Sequence, residues 1–278
     1  MLKLKAYLSL VRPDNLVLTF FSVLAGAYLE SGEIFYAPIW LAAFSAIFLS
    51  AGGYVINDFW DKEIDEVNKP HRPLPAGLVS SRNALILSLA LFLIGIILAY
   101  LVNIYILIVG LATAIFLLWY SFKLKNTFML GNILVSLWVS LAFIYGGLVF
   151  PKVYLSLIPA GLAFFFHWGR EIIKDLEDQE GDQKYRAKTV PILWGAKKTL
   201  ILVTAVFGLL ILLSGLPYFL KIFNLRYLIL VSLGVDLVLI YVIISLWKDW
   251  SKENLARLSR ILKLDMLMGL FAIVMAKI

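Results

Sequence analysis

Long apolar stretches separated by shorter polar segments dominate the chain. An α-helix needs about 20 mostly apolar residues to cross a hydrocarbon core of roughly 30 Å. Nine stretches meet this length, and the pattern therefore predicts an all-α, polytopic membrane protein. The nine predicted transmembrane helices are 13–30, 36–57, 83–102, 104–120, 129–149, 153–173, 199–218, 227–247 and 259–277.

The distribution of basic residues predicts the orientation in the membrane. Of the 25 Lys and Arg residues, 21 fall with the N-terminus and the longer polar segments. The four on the other side are Lys152, Lys221, Arg226 and Lys277. Because cytoplasmic loops carry an excess of Lys and Arg, we expect a multi-pass cell-membrane protein with a cytoplasmic N-terminus and an outside C-terminus.

The composition excludes several classes of protein. With 62% hydrophobic and 15% charged residues, the chain has too few charges for a soluble enzyme or a disordered segment. The lack of cysteine excludes disulfide scaffolds, thiol nucleophiles and zinc ribbons. The net charge of +7 fits loops that face anionic lipid headgroups, so we expect membrane lipid around the chain, no nucleic acid and no obligate protein partner.

The acidic residues are concentrated in two similar motifs. Eleven of the 18 Asp and Glu residues lie in 58–66 and 171–182. A shift of 117 positions superimposes the first motif on the second at four acidic positions. These are Asp58, Asp61, Glu63 and Asp65, which fall on Asp175, Asp178, Glu180 and Asp182. The match indicates either an ancient duplication or convergence on one ligand geometry.

On a continuous helix, each motif would present its carboxylates on one face. Asp175, Asp178 and Asp182 fall within about 60° of one another, and Asn57, Asp61 and Asp65 drift by about 40° per step. Like charges at these spacings repel, and a bound Mg²⁺ ion offsets that repulsion. One such motif is more often a solvated acidic helix, but two in register at the ends of spans favour metal binding. Gly181 could end the second helix before Asp182.

Basic residues near the motifs complete the pattern of a diphosphate site. Arg72 follows the first motif, Lys188 follows the second, and Tyr120, Ser121 and Lys123 lie in a third polar segment. Lys and Arg bind phosphate oxygens well. Each of these cations alone fits a headgroup contact better, and only together with the acids do Arg72, Lys123 and Lys188 favour a diphosphate site.

These motifs resemble the UbiA superfamily of intramembrane prenyltransferases. The resemblance rests on N-D-x-x-D-x-x-x-D with N-K-P-H-R-P-L-P-A-G, and on D-x-x-D-x-x-x-D with K-T-V-P-I-L-W-G; it extends from Arg12 to the last helix. It implies nine helices around a central cavity, in a single domain 1–278 with two motif halves of about 1–125 and 126–278. It also implies two Mg²⁺ ions that bridge the diphosphate of a prenyl donor, beside a lipid-like acceptor, in an active site facing the cytoplasm.

The resemblance also assigns roles to individual residues. The implied metal ligands are Asn57, Asp58, Asp61, Asp65, Asp175, Asp178 and Asp182. The implied catalytic residues are Asp61, Asp65, Asp175, Asp178, Lys123 and Tyr120. The resemblance and the basic residues near the motifs together predict the substrate-binding residues Asn15, Asn57, Arg72, Lys123, Tyr120, Ser121, Lys188, Arg12 and His71. An acceptor phosphate would need further cations, for which Arg12, His71, Lys125 and Arg186 are candidates.

The wording of both motifs is most similar to archaeal members that transfer a geranylgeranyl chain to the free hydroxyl of geranylgeranylglyceryl phosphate. We therefore predict this reaction. An aromatic prenyltransferase acting on a 4-hydroxybenzoate-like ring is the alternative enzyme, and a divalent-cation transporter is a more distant one. His167 fits either a site residue or a helix-to-helix hydrogen bond, and the role of Asp236, in the middle of a span, stays open.

Overall fold

A computed structural model describes residues 2–124, 128–151, 153–184 and 187–277, and all regular secondary structure in these ranges is helical. The helices are α1 (Leu2–Val11), α2 (Pro13–Ser31), α3 (Ala37–Trp60), α4 (Lys62–Asn68), α5 (Ser81–Tyr100), α6 (Ile104–Trp119), α7 (Leu130–Gly147), α8 (Leu157–Glu177), α9 (Gln179–Lys184), α10 (Val190–Ser214), α11 (Leu216–Phe219), α12 (Leu225–Leu230), α13 (Leu237–Lys248) and α14 (Lys252–Met275). A π-helical turn, Tyr120–Leu124, extends α6, and another, Val231–Asp236, joins α12 to α13. The predicted all-α class is confirmed for the described ranges.

Six helical segments in the described ranges are long and apolar enough to cross a membrane. They are Ala37–Trp60, Ser81–Tyr100, Ile104–Lys123, Leu130–Gly147, Val190–Phe219 and Leu225–Lys248. The pair α1 and α2, bent by 43°, gives a seventh. The bend lies at Arg12, whose φ is 53°, and before Pro13, which is favourable at the start of a helix. The remaining predicted spans, 153–173 and 259–277, overlap α8 and α14. These two helices carry more charged residues than the six apolar segments.

Small residues bring neighbouring helices close together. Ser45 of α3 donates a hydrogen bond to the Gly95 carbonyl of α5 at 2.7 Å, and Ser88 of α5 donates to the Gly52 carbonyl of α3 at 2.8 Å. Such reciprocal contacts are typical of helices packed inside a membrane, where hydrophobic burial does not drive association.

Two glycines fix the distance between α2 and α7. A Cβ atom on Gly26 would lie 1.9 Å from the Phe143 carbonyl oxygen, and one on Gly146 would lie 1.9 Å from the Val23 carbonyl oxygen. The two backbones therefore touch directly, and any larger residue would force the helices apart.

The bundle surrounds a central cavity between α2, α3, α6, α7, α8, α10, the α12–α13 segment and α14. Its empty volume, counted out to the opening, is about 2080 Å³. Most lining side chains are apolar, including Leu49, Trp138 and Phe166. Both acidic motifs begin in the last turn of a helix, α3 or α8, and we call this end of the bundle the motif end. At the opposite end, Lys277 donates to the Leu29 carbonyl at 2.9 Å.

Candidate active site

The helix breaks at the same position in both acidic motifs. α3 ends at Trp60 and α4 begins at Lys62, with Asp61 between them at φ −86° and ψ 0°. α8 ends at Glu177 and α9 begins at Gln179, with Asp178 between them at φ −91° and ψ 5°. Asp178 is the residue 117 positions after Asp61. The interruption is a single residue in each motif, and i→i−4 backbone hydrogen bonds reach Asp61 and Asp178 from both sides. The repeat therefore extends to backbone conformation, and the shared face of the carboxylates stays a prediction.

In each motif the interruption falls where carboxylates one turn apart repel one another, and such repulsion weakens a continuous helix. Gly181 lies inside α9 and does not end it, so Asp182 is helical, contrary to the fraying considered from the sequence.

Arginine side chains neutralise the carboxylates of the first motif. Asp58 and Asp65 are only 3% and 4% exposed. Arg72 donates to Asp65 at 2.5 Å and to Asp58 at 3.2 Å, and Arg12 makes a second ion pair with Asp58. Asn57 donates to Asp61 at 2.7 Å. This motif thus places two of its predicted ligands, Asp58 and Asp65, in one network with two predicted substrate-binding arginines, and its other two predicted ligands pair with each other.

The same burial shifts the protonation of these groups. Burial raises the pKa of Asp65 above its usual range, against the opposing effect of the Arg72 guanidinium. Burial alone would lower the pKa of Arg72, but Asp58 and Asp65 raise it overall, so Arg72 stays charged.

The second motif is held by residues that the sequence did not single out as site residues. Asn132 of α7 donates to Asp175 at 2.8 Å, and Lys69 donates to Asp178 at 2.5 Å. An amide in an apolar span was a signal available for Asn132, because polar side chains inside a membrane bundle usually contact one another. Lys69 follows the first motif closely in sequence, so a residue beside the first motif pairs with a carboxylate of the second.

The two motif segments contact each other directly at the motif end of the bundle. The Gly181 amide donates to the Asn68 side-chain oxygen at 2.9 Å, and a Cβ on residue 181 would lie 2.2 Å from that oxygen. Together with the Lys69–Asp178 ion pair, this contact joins α4 to α9. Motifs that are 117 positions apart in sequence therefore form one site.

The cavity reaches only part of the predicted set. Arg12, Asn15, Asn57, Tyr120 and Ser121 line it. The side chains of His71, Lys123 and Lys188 are exposed. Two further candidates, Lys125 and Arg186, lie outside the described residues.

A group of charged residues on α8 also lines the cavity, and the sequence did not identify these residues as part of the site. It consists of Arg170, Glu171 and Lys174, with His167 one turn deeper. Charges on the inner face of an apolar span are a functional signal in membrane proteins, and this signal was visible in the sequence.

Two buried acids face the cavity farther from the motifs. Asp236, at the end of the second π-helical turn, accepts hydrogen bonds from Ser214 at 3.0 and 3.1 Å. Asp265 of α14 is also buried, and its Oδ2 has no hydrogen-bond partner among the described residues. His167 likewise lines the cavity. This position favours its interpretation as a site residue over that of a helix-to-helix hydrogen-bonding group.

The fold and the paired motifs define a prenyltransferase of the UbiA class, and the chain belongs to the UbiA prenyltransferase family, whose model matches residues 19–267. A digeranylgeranylglyceryl phosphate synthase from Saccharolobus solfataricus is 37% identical over 282 aligned residues, covering 100% of this chain and 98% of the relative. A solved structure from work on digeranylgeranylglyceryl phosphate synthase in membranes has a TM-score of 0.77 at 37% identity and covers 99% of both chains. A UbiA homologue from Archaeoglobus fulgidus, bound to GPP and Mg²⁺, has a TM-score of 0.73 at 21% identity and covers 97% of this chain and 99% of its own.

Proposed function

We propose that the chain transfers a geranylgeranyl group from geranylgeranyl diphosphate to the hydroxyl of geranylgeranylglyceryl phosphate. The observation that carries this proposal is the meeting of two acidic motifs, through Asn68–Gly181 and Lys69–Asp178, at the end of a largely apolar cavity. Such a site accommodates an anionic head beside a long isoprenoid tail. The choice of acceptor is supported by the relatives of similar length named digeranylgeranylglyceryl phosphate synthase.

The donor atoms of both motifs fit hard divalent cations. Carboxylate and amide oxygens are the ligands that Mg²⁺ prefers, and we propose that two ions are held by the predicted ligand set. This set is Asn57, Asp58, Asp61, Asp65, Asp175, Asp178 and Asp182. When bound, the ions supply positive charge that stabilises the departing diphosphate.

Ion binding would require local rearrangement of side chains. Within the described ranges, no three His, Asp or Glu side chains are grouped closely enough to hold a metal ion. Several of the carboxylates pair instead with the cations Arg12, Lys69 and Arg72. We propose that these cations turn from the carboxylates to the diphosphate oxygens as substrate binds, which keeps every charge in the site partnered.

The residues of the chain then have distinct tasks. Arg12 and Arg72 neutralise the diphosphate, and Tyr120, Ser121 and Asn15 line the adjacent cavity wall. The bond between the allylic carbon and the diphosphate oxygen breaks, and its electron pair leaves with the diphosphate. The acceptor oxygen then bonds to the allylic carbon and passes its proton to the released diphosphate. The apolar cavity keeps water away from the allylic cation, which water would otherwise convert to an alcohol.

The same proposal includes the arrangement in the membrane. We take α8 and α14 as spans in addition to the seven apolar segments, which gives nine. Their extra charges lie partly on the cavity side, as in Arg170 and Asp265, where protein rather than lipid surrounds them. The excess of Lys and Arg places the N-terminus and the motif end in the cytoplasm of a cell-membrane protein. Residues 1–278 form one domain with halves of about 1–125 and 126–278.

An acceptor-competition assay tests the proposed reaction. Purified protein in detergent with Mg²⁺ and geranylgeranyl diphosphate is offered geranylgeranylglyceryl phosphate or 4-hydroxybenzoate, and the prenylated product is identified by mass spectrometry. We expect product with the glyceryl phosphate alone, and none from an Asp175→Asn variant. Product with the aromatic acid alone would refute the acceptor, and flux of Mg²⁺ through liposomes without transfer would refute the enzyme.

A further inference from the structure

A cationic cluster on α8 immediately precedes the second motif. The cluster consists of Arg170, Glu171 and Lys174, and all three side chains line the cavity. Lys174 Nζ donates to both oxygens of Glu171 at 2.9 Å, and Arg170 Nη1 donates to Glu171 Oε1 at 3.4 Å. The side chains are 16%, 19% and 34% exposed for Arg170, Glu171 and Lys174 respectively. Joined by these hydrogen bonds, they form a polar, mostly buried part of the cavity wall.

The cluster carries an excess of positive charge. Two cations share the single carboxylate of Glu171, and the buried Nε of Arg170 has no hydrogen-bond partner among the described residues. By contrast, Arg12, the other arginine on the cavity wall, is paired with Asp58. An unbalanced cation and an unsatisfied donor are both costly next to an apolar cavity, and an anionic ligand would satisfy both.

The cluster lies directly beside the proposed donor site. Lys174 precedes Asp175 in sequence and lies one helical turn before Asp178. Tyr120, on the first π-helical turn, lines the same cavity as the cluster. A ligand held by Arg170 and Lys174 would therefore adjoin a diphosphate held by the motifs.

We infer that Arg170 and Lys174 bind the phosphate monoester of the acceptor, with Glu171 holding both cations in position. This inference rests on the proposed function, in which both substrates are phosphorylated. In a glycerol phosphate, at most one carbon separates the carbon that carries the reacting hydroxyl from the carbon that carries the phosphate. The acceptor phosphate must therefore bind close to the departing diphosphate, and cations must separate the two anions. The planar guanidinium of Arg170 matches the oxygens of a phosphate.

Kinetics with two acceptors test the assignment. We compare geranylgeranylglyceryl phosphate with geranylgeranylglycerol, which lacks the phosphate, in the wild type and in Arg170→Gln, Lys174→Gln and Arg170→Lys. Each lost charge-assisted contact should raise KM for the phosphorylated acceptor about 10- to 100-fold. We expect kcat and KM for geranylgeranyl diphosphate to change little, and Arg170→Lys to recover part of the loss. Lys252→Gln is the matched control, because Lys252 pairs with exposed Glu180 outside the cavity.

A binding measurement without turnover gives a second readout. In the absence of donor, the phosphorylated acceptor should raise the thermal unfolding midpoint of the wild type and Lys252→Gln, but not that of Arg170→Gln or Lys174→Gln. An unchanged acceptor KM in both cluster variants, with an active wild type, would overturn the inference alone. A parallel rise in donor KM would assign the cluster to the diphosphate and overturn it as well. A wild type that uses neither acceptor would refute the proposed function, and the inference with it.

Discussion

The direct backbone contact between α2 and α7 yields a quantitative prediction for Gly26→Ala. The new Cβ would lie 1.9 Å from the Phe143 carbonyl oxygen, about 1.5 Å short of the 3.4 Å at which ordinary contact begins. The obstructing atom belongs to the backbone, so no side-chain rotation relieves the clash and α2 must move away from α7. Overpacking of this kind costs about 1–3 kcal/mol, and we expect the upper end of that range here.

The separation should affect both stability and activity. A loss of about 3 kcal/mol should lower the thermal unfolding midpoint by about 6–10 °C for a chain of this size. Moving α7 also shifts Asn132 from Asp175, to which it donates at 2.8 Å. Displacement by about 1 Å near reacting groups can cost about 100-fold in rate, and we expect geranylgeranyl transfer to fall by that order.

Two glycines on other helices provide matched controls. A Cβ on Gly208 of α10 or on Gly161 of α8 would meet nothing within 4 Å. Alanine at these positions should leave the unfolding midpoint unchanged or raise it, because alanine favours the helix by up to about 1 kcal/mol over glycine. Tryptophan fluorescence during heating, in one detergent for all variants, measures the midpoints. If Gly26→Ala unfolded at the same temperature as Gly208→Ala, the close contact between α2 and α7 would be refuted.

Three further predictions concern the motifs. Asp61→Ala or Asp175→Ala should lower product formation by at least about 100-fold while the unfolding midpoint stays within a few degrees of the wild type; a wild-type rate in either variant would remove that residue from the site. Chelation of divalent cations with EDTA should stop transfer and added Mg²⁺ should restore it, whereas full activity in EDTA would contradict the metal requirement. Asn68→Ala removes the acceptor of the Gly181 amide hydrogen bond, 2.9 Å long, and should reduce turnover about 10-fold in the same assay; an unchanged rate would show that this link between the motifs is dispensable.

The helical architecture was predictable because a bilayer imposes a length on every apolar helix. Each predicted stretch overlaps a long helix of the structure, and the pairing of the two motifs followed from their shared spacing of acids. The break at Asp61 and Asp178 was not predictable. A helical period describes a continuous helix, whereas this break accompanies contacts between distant segments, such as Asn68 with Gly181.

The composition of the site could be predicted only in part, because sequence does not give the rotation of a helix about its axis. Arg170 and Lys174 face the cavity, whereas His71 and Lys188, which are also near a motif in sequence, are exposed. The partner of Asp175 was also out of reach, since Asn132 lies 43 positions away. Such contacts depend on how helices pack in three dimensions.

The buried acids of the C-terminal half have a consequence for how the protein is made. A single Asp at the centre of a membrane helix opposes insertion by roughly 2.5–3.5 kcal/mol. The segment that contains Asp236, Leu225–Lys248, has the highest mean hydropathy of the six candidate spans, which offsets this cost. α14 contains Asp265 and is not among the six apolar spans, so it lacks the high mean hydropathy that would offset this cost. Insertion of the last helix should therefore depend on the helices synthesised before it, which offer its carboxylate a protein surface in place of lipid.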